Sequence, residues 1–253
     1  MTADLQLPLV LFPLFFLVAG LYSSVGHGGA SGYLALFSLF GVMSPATTPI
    51  VLLLNILVAS ISFMNYWKSG HFSLPLLLPF AVTSIPAAYV GGMVSLDQVP
   101  FQLLLGGVLL LAALRLLLIK EIRPLTPERE RMQTWAWGLP LGVILGFLSG
   151  LIGIGGGIFL SPLLLFLGWA DVRKVAAVSS AFIVLNSLAG LLGHLTRGSE
   201  ALLPALPLAA TVAAGALVGS YAGAHRIPPR SLQVALGLVL ILAAFKLIAW
   251  NLV

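Results

Sequence analysis

Ser24-Val25-Gly26-His27-Gly28-Gly29-Ala30-Ser31-Gly32 and Gly150-Leu151-Ile152-Gly153-Ile154-Gly155-Gly156-Gly157 decide how this chain is read. Each glycine-rich stretch interrupts a long apolar run, the first spanning 7–43 and the second 135–169. Gly28 and Gly29 stand 127 positions before Gly155 and Gly156. Backbone groups freed by a helix break inside lipid have to be buried in protein or line a cavity. Breaks at matching places in two halves of a membrane chain therefore point to a binding site as well as to a repeat.

The composition places the chain in a bilayer. Of 253 residues, 60% are hydrophobic and 8% charged, against about 25% charged in a soluble domain. Apolar runs follow one another along the whole length and leave no room for a separate soluble domain. Asp4 is the only charge before the first run, which reads as a retained membrane segment rather than a cleaved signal peptide. With no cysteine, disulfides, thiolate metal sites and thiol catalysis are excluded. The net charge of +5 comes from basic residues between apolar runs, where it serves membrane orientation rather than nucleic-acid binding.

About 20 apolar residues cross a bilayer as a helix. Spans are expected near 50–66, 72–95, 98–119, 175–195, 202–224 and 228–250. The two broken runs are too long for one helix and short for two, so each is expected to form a hairpin of one long and one shorter arm. At an offset of 131, Asn55 matches Asn186, Gln102 matches Gln233, Gly92 matches Gly223 and Gly106 matches Gly237. Ala112-Ala113 matches Ala243-Ala244, and Arg115 matches Lys246. The step from 127 to 131 requires a four-residue insertion, expected near Asp171–Lys174. The predicted fold is an all-α polytopic membrane protein of two inverted-topology repeats. Each repeat opens with a Gly-broken helical hairpin and continues with three transmembrane helices. The expected boundaries are a first membrane repeat at 1–119, a basic linker at 120–134 and a second repeat at 135–253.

Charge placement sets the orientation. The linker from Lys120 to Arg131 is the most basic connection and is expected in the cytoplasm. Lys68, Arg173, Lys174, Arg226 and Arg230 then fall on the same side, and Asp4, Asp97, Arg197 and Glu200 on the other. The halves start on opposite faces, which makes the repeat inverted.

The candidate chemistry is neutral. All seven carboxylates (Asp4, Asp97, Glu121, Glu128, Glu130, Asp171 and Glu200) lie in loops or at segment ends, so none is expected to bind a cation or relay protons at membrane depth. Arg115 and Lys246 lie near helix ends and read as snorkelling side chains. A helix starting just after a glycine break presents unpaired N–H groups and its positive dipole end, which suits an anion. Thr48 and Asn55, seven apart, share a helix face, as do Ser179 and Asn186, and Ser62 extends the first stripe. Hydroxyl and carboxamide groups on one stripe can donate to an oxyanion, or equally join helix to helix. His27 interrupts the first break where the second has Ile154, and His194 lies near the end of its span. Both are candidate proton-coupling groups because imidazole titrates near neutral pH, whereas His71 and His225 border loops. No metal-ligand pattern, nucleotide-binding loop ending or nucleophile–His–acid set is present, so neither a cofactor nor catalysis is expected.

The segments 26–34 and 150–162 resemble the TauE/SafE family, also called the toluene-sulfonate uptake permease family. The resemblance covers nearly the whole chain: two halves, a Gly-rich motif opening each, and a short basic linker. Ala46-Thr47-Thr48 and Ala177-Val178-Ser179-Ser180 look like the polar cluster that opens the second helix of each half in that family. The resemblance implies export of sulfur-containing anions such as sulfite, sulfoacetate or other organosulfonates across the bacterial inner membrane. The expected binding residues are Gly28, Gly29, Thr48, Asn55, Gly155, Gly156, Ser179, Ser180 and Asn186, and the expected partners are that anion and the lipid bilayer. A passive anion channel and a non-transporting membrane subunit are the alternatives.

Overall fold

In the computed structural model the described residues are 8–42, 47–94, 127–196 and 206–249, with Gly107, Leu110, Ala113, Leu114, Leu117 and Leu118 as further helical positions. The described residues are helical, with turns between: α1 (Leu11–Ser23), α2 (Ala30–Leu39), α3 (Thr47–Lys68), α4 (Leu74–Met93), α5 (Pro127–Ile152), α6 (Gly157–Phe166), α7 (Val172–Leu195), α8 (Leu206–His225) and α9 (Pro229–Ala249). Five stretches among these are long and apolar enough to cross a membrane: Thr47–Lys68, Leu74–Met93, Thr134–Ile152, Val172–Leu195 and Pro207–His225. Apart from those six positions the expected span 98–119 lies outside the described residues, together with Asp4, Ala46, Asp97, Gln102, Gly106, Ala112, Arg115, Glu121, Arg197 and Glu200 and the side chains of Glu128, Glu130, Ala243 and Lys246.

Both broken runs form a helix, a glycine break and a short helix, as the hairpin reading requires. α2 and α6 have ten residues each, about 15 Å of helix against a hydrocarbon core of about 30 Å. Each is therefore long enough to cross about half of it. Both end on a glycine with positive φ, Gly41 (φ 65°) and Gly168 (φ 66°). In each case the following N–H closes back on the last turn, Val42 N to Phe37 O and Trp169 N to Leu164 O, as a Schellman end does. The 127-residue spacing thus persists to Gly168, so the change of offset falls after it. α5 starts at Pro127, inside the basic linker, because proline is pre-organised for the first helical position.

The packing follows the composition. Leu17, Trp67, Val82, Ile144, Leu192, Val218 and Phe245 present apolar side chains outward, while Asn55, Asn186, Ser161, Ser179 and Ser187 are buried. That polarity is expected where lipid replaces water as the solvent. Small residues let the helices approach backbone to backbone: Gly150 faces the Ala88 carbonyl, Gly219 the Gly20 carbonyl and Gly91 the Phe147 carbonyl. α1 packs on α8 as α5 packs on α4, and α3 packs on α8 as α7 packs on α4. α2 meets α3 as α6 meets α7, and α3 and α7 pack on each other across the two halves.

Candidate functional site

The two breaks fold alike. Gly26 and Gly153 end the long arms with φ of 80° and 76°, and Gly29 and Gly156 cap the short helices with φ of 94° and 74°. Positive φ at a helix N-cap is strained for any residue with a Cβ. No side chain of the N-cap residue closes either helix start. By contrast α7 begins conventionally: the Asp171 carboxylate accepts from the N–H groups of Arg173 (2.9 Å) and Lys174 (3.1 Å). The glycine starts leave first-turn amides and a positive dipole end facing the interior.

Asn55 touches both breaks. Its Oδ1 accepts from Ala30 N–H at 3.1 Å, at the start of α2. Its Nδ2 donates to Ser187 Oγ on α7 at 2.9 Å. A Cβ on Gly28 would collide with the Asn55 side chain, and one on Gly155 would stand 2.5 Å from Asn55 Nδ2 and 2.6 Å from Ser187 Oγ. One carboxamide is therefore wedged between the two glycine breaks, and glycine at 28 and 155 makes the room for it.

His27 makes a second link. Its Nδ1 lies 3.1 Å from Val25 O, and its Nε2 lies 3.4 Å from Ser161 Oγ on α6. Since a carbonyl can only accept, Nδ1 carries the proton in the tautomer that bonds Val25 O, and Nε2 then meets Ser161 Oγ as a polar contact without a proton of its own. Ser161 donates to Ser179 Oγ at 2.8 Å. The first break, the second short helix and α7 are thus joined through His27, Ser161 and Ser179.

The other expected residues fall at varied distances from this centre. Thr48 is half-buried, with its methyl against Gly153. Ser180 is buried, with its hydroxyl donating to Ala177 O of its own helix at 2.9 Å. Asn186, the offset partner of Asn55, donates from Nδ2 to Phe182 O at 2.9 Å, and its buried Oδ1 has no partner. The His194 Nε2 lies 3.0 Å from Gly150 O, one turn before the second break ends α5. Ser62 donates to Ser23 O at 3.0 Å, and Tyr66 to Ser24 O, fixing the end of α1 against α3.

Sequence reasoning missed Ser187, Ser161 and Ser149, together with Tyr22, Ser31 and Tyr33. The Tyr22 and Ser31 hydroxyls meet at 3.0 Å. Ser187 follows Asn186 directly, and Ser161 lies four residues after Gly157, one turn into α6. Either could have been found by extending the polar stripe search to both faces of a helix start.

The charge pattern agrees with a neutral centre. Among the described residues, the charged side chains Lys68, Asp171, Arg173, Lys174, Arg226 and Arg230 sit at helix ends. Arg173 donates to Ile227 O at 3.1 Å, and Ser69 bonds His225 Nε2 at 3.0 Å. The end of α3, the start of α7 and the α8–α9 turn therefore lie together at one end of the bundle, as the orientation argument requires.

The family described as sulfite exporter TauE/SafE matches residues 11–247. The chain is similar to "Probable membrane transporter protein y4hK" of Sinorhizobium fredii, 34% identical over 239 residues that cover 92% of this chain and 95% of that protein. It is also similar to "Probable membrane transporter protein MJ0441" of Methanocaldococcus jannaschii, 27% identical over 92% of this chain and 93% of that one. "Probable membrane transporter protein YunE" of Bacillus subtilis is 27% identical over 80% and 79% of the two chains. No solved structure matches it.

Proposed function

Because this chain belongs to the sulfite exporter TauE/SafE family, we propose that it is a secondary transporter that exports sulfur-containing oxyanions, sulfite or organosulfonates, across the bacterial inner membrane. The halves rock about a site between the glycine breaks, with the basic linker in the cytoplasm and the two repeats inverted. The observation that carries this reading is Asn55 reaching both breaks at once. It supports one site at which two glycine-capped helix starts converge near mid-membrane, in a family whose description names an exported anion. The absence of a described charge at this centre favours an anion held by amide and hydroxyl donors rather than by a cation. The exchange-symmetric packing of α1 on α8 and α5 on α4 supports two related halves.

Alternating access then means that contacts between halves, Asn55 to Ser187 and His27 to Ser161, are made and broken as the site opens to either face. Gly28, Gly29, Gly155 and Gly156 give close backbone approach, Ser179 and Ser180 supply hydroxyls, and Thr48 and Asn186 complete the two stripes. His27, with His194 as the second candidate, couples the cycle to protons. The test is transport by the purified protein in proteoliposomes. Saturable counterflow of sulfite, sulfoacetate or taurine sustains the carrier reading, and a non-saturating anion current would replace it with a channel.

A further inference from the structure

The two helix starts are not equally available. At α2 the first amide is already taken by Asn55 Oδ1. The Tyr22–Ser31 hydroxyl pair lies beside that start, and the Tyr33 ring packs against Gly29 with its own buried hydroxyl unpartnered. At α6 both tyrosines are replaced by smaller residues, and Ser31 by an apolar one. Ser149 stands 127 positions after Tyr22, Ile158 after Ser31 and Leu160 after Tyr33. Asn186 turns its Nδ2 to Phe182 O instead of capping Gly157.

Ser149 Oγ stands beside this second start without a partner, and Asn186 Oδ1 on the adjoining α7 is unpartnered too, on residues 1% and 0% exposed. A Cβ built on Gly156, the N-cap of α6, would stand 3.3 Å from Ser149 Oγ and 3.0 Å from the Phe182 ring. Asn186 lies one helical turn beyond Phe182 on α7. Orphaned buried polar groups are costly, and in a native protein they call for a ligand or other explanation. The pair is complementary in kind. The Ser149 hydroxyl is free to donate. Asn186 Oδ1 can only accept, and its orientation is fixed because Phe182 O must receive the N–H.

Building on the transport reading above, we propose that the anion binds at the start of α6 and is one that carries its own hydrogen-bond donor. Its sulfur-bound oxygens meet the first-turn amides of α6 and the Ser149 hydroxyl, and its O–H or N–H donates to Asn186 Oδ1. Asn55 fills the equivalent place at α2, so the protein holds one anion rather than two. The favoured substrate class is a monoanion of the hydrogen sulfite type, with the fully deprotonated dianion disfavoured.

Two near-isosteric monoanions separate these roles at one pH: sulfamate, which has N–H donors on its SO3 group, and methanesulfonate, which has none. Titration calorimetry on purified protein should give sulfamate about tenfold or more tighter binding than methanesulfonate, the effect of leaving a buried acceptor unpaired. Asn186→Leu should erase that difference, and Ser149→Ala should weaken both ligands by about tenfold. Equal affinities in the wild type, or a sulfamate preference that survives Asn186→Leu, would overturn the donor assignment while leaving the transport reading intact. If Asn186→Leu shows no cooperative melting, Ser149→Ala decides the location, and unchanged affinity for both ligands overturns it. Binding of neither monoanion nor sulfite by the wild type would sink the transport reading itself.

Discussion

The carboxamide of Asn55 donates to the hydroxyl of Ser187 at 2.9 Å, joining two buried residues 132 positions apart in the chain. The same side chain accepts from Ala30 N–H. It therefore ties α2 and α3 of the first half to α7 of the second, at the place where both glycine breaks meet. The offset repeat pairs Asn55 with Asn186 but puts Ile56 opposite Ser187, so this cross-link has no counterpart in the other half.

Asn55→Ala removes a buried acceptor and a buried donor together. A loss of about 2 kcal/mol in stability is expected, with about half that for Ser187→Ala, which breaks one bond only. Thermal unfolding of the purified variants checks the ratio. In counterflow assays Asn55→Ala should lose most sulfite exchange. Full retention of exchange would take Asn55 out of the site.

A pair of glycines with the same backbone conformation separates strain from close packing. Gly26 (φ 80°) and Gly41 (φ 65°) both occupy the left-handed region. A Cβ on Gly26 would run into the Ala176 backbone, whereas one on Gly41 meets nothing within 4 Å. Gly41→Ala should cost about 1–2 kcal/mol, the strain alone. Gly26→Ala adds a backbone clash that cannot relax and should abolish the monodisperse protein on size exclusion. Equal behaviour of the two variants would show that the Gly26–Ala176 approach is not needed.

Tyr66→Phe tests the anchor at the end of α1. The Tyr66 hydroxyl donates to Ser24 O, and both residues are buried. The variant should lose about 1–2 kcal/mol because the carbonyl is left short of a donor in a dry setting. Anion affinity should stay unchanged, since this contact holds the break from behind. Calorimetry and a melting curve on the same sample read both quantities.

His27 and His194 can be told apart by function. In vesicles carrying an imposed proton gradient, His27→Gln should keep sulfite counterflow to within about threefold yet lose the acceleration by the gradient, because an amide cannot carry the proton an imidazole does. His194→Gln should keep both, since its ring binds the Gly150 carbonyl near the end of α7. Gradient-driven uptake surviving in His27→Gln would move the coupling elsewhere.

Much of the architecture was legible in residue order. The apolar runs gave the spans, and the glycine clusters gave the breaks and the 127-residue offset. Gly41 and Gly168, which extend that offset, could have been read in the same way, since a glycine ending an apolar helix has a known cause. The Thr48, Asn55, Ser179 and Asn186 stripes were visible because a seven-residue spacing returns to one helix face. Ser187 and Ser161 escaped that search because their importance comes from helices they meet, not from their own periodicity.

Membrane insertion and the paired glycine breaks were determined by the sequence alone, because hydropathy and the φ preference of glycine are local properties, whereas the ten-residue length of the short arms came from the structure. The tertiary structure decided how equivalent residues diverge. Asn55 bridges the halves while Asn186 turns back on its own helix, and Tyr22 bonds Ser31 at the first break whereas its counterpart Ser149 stands without a partner beside Gly156. These differences depend on which side chains are neighbours across helix interfaces. Two halves with the same pattern can therefore fold alike and still offer different sites.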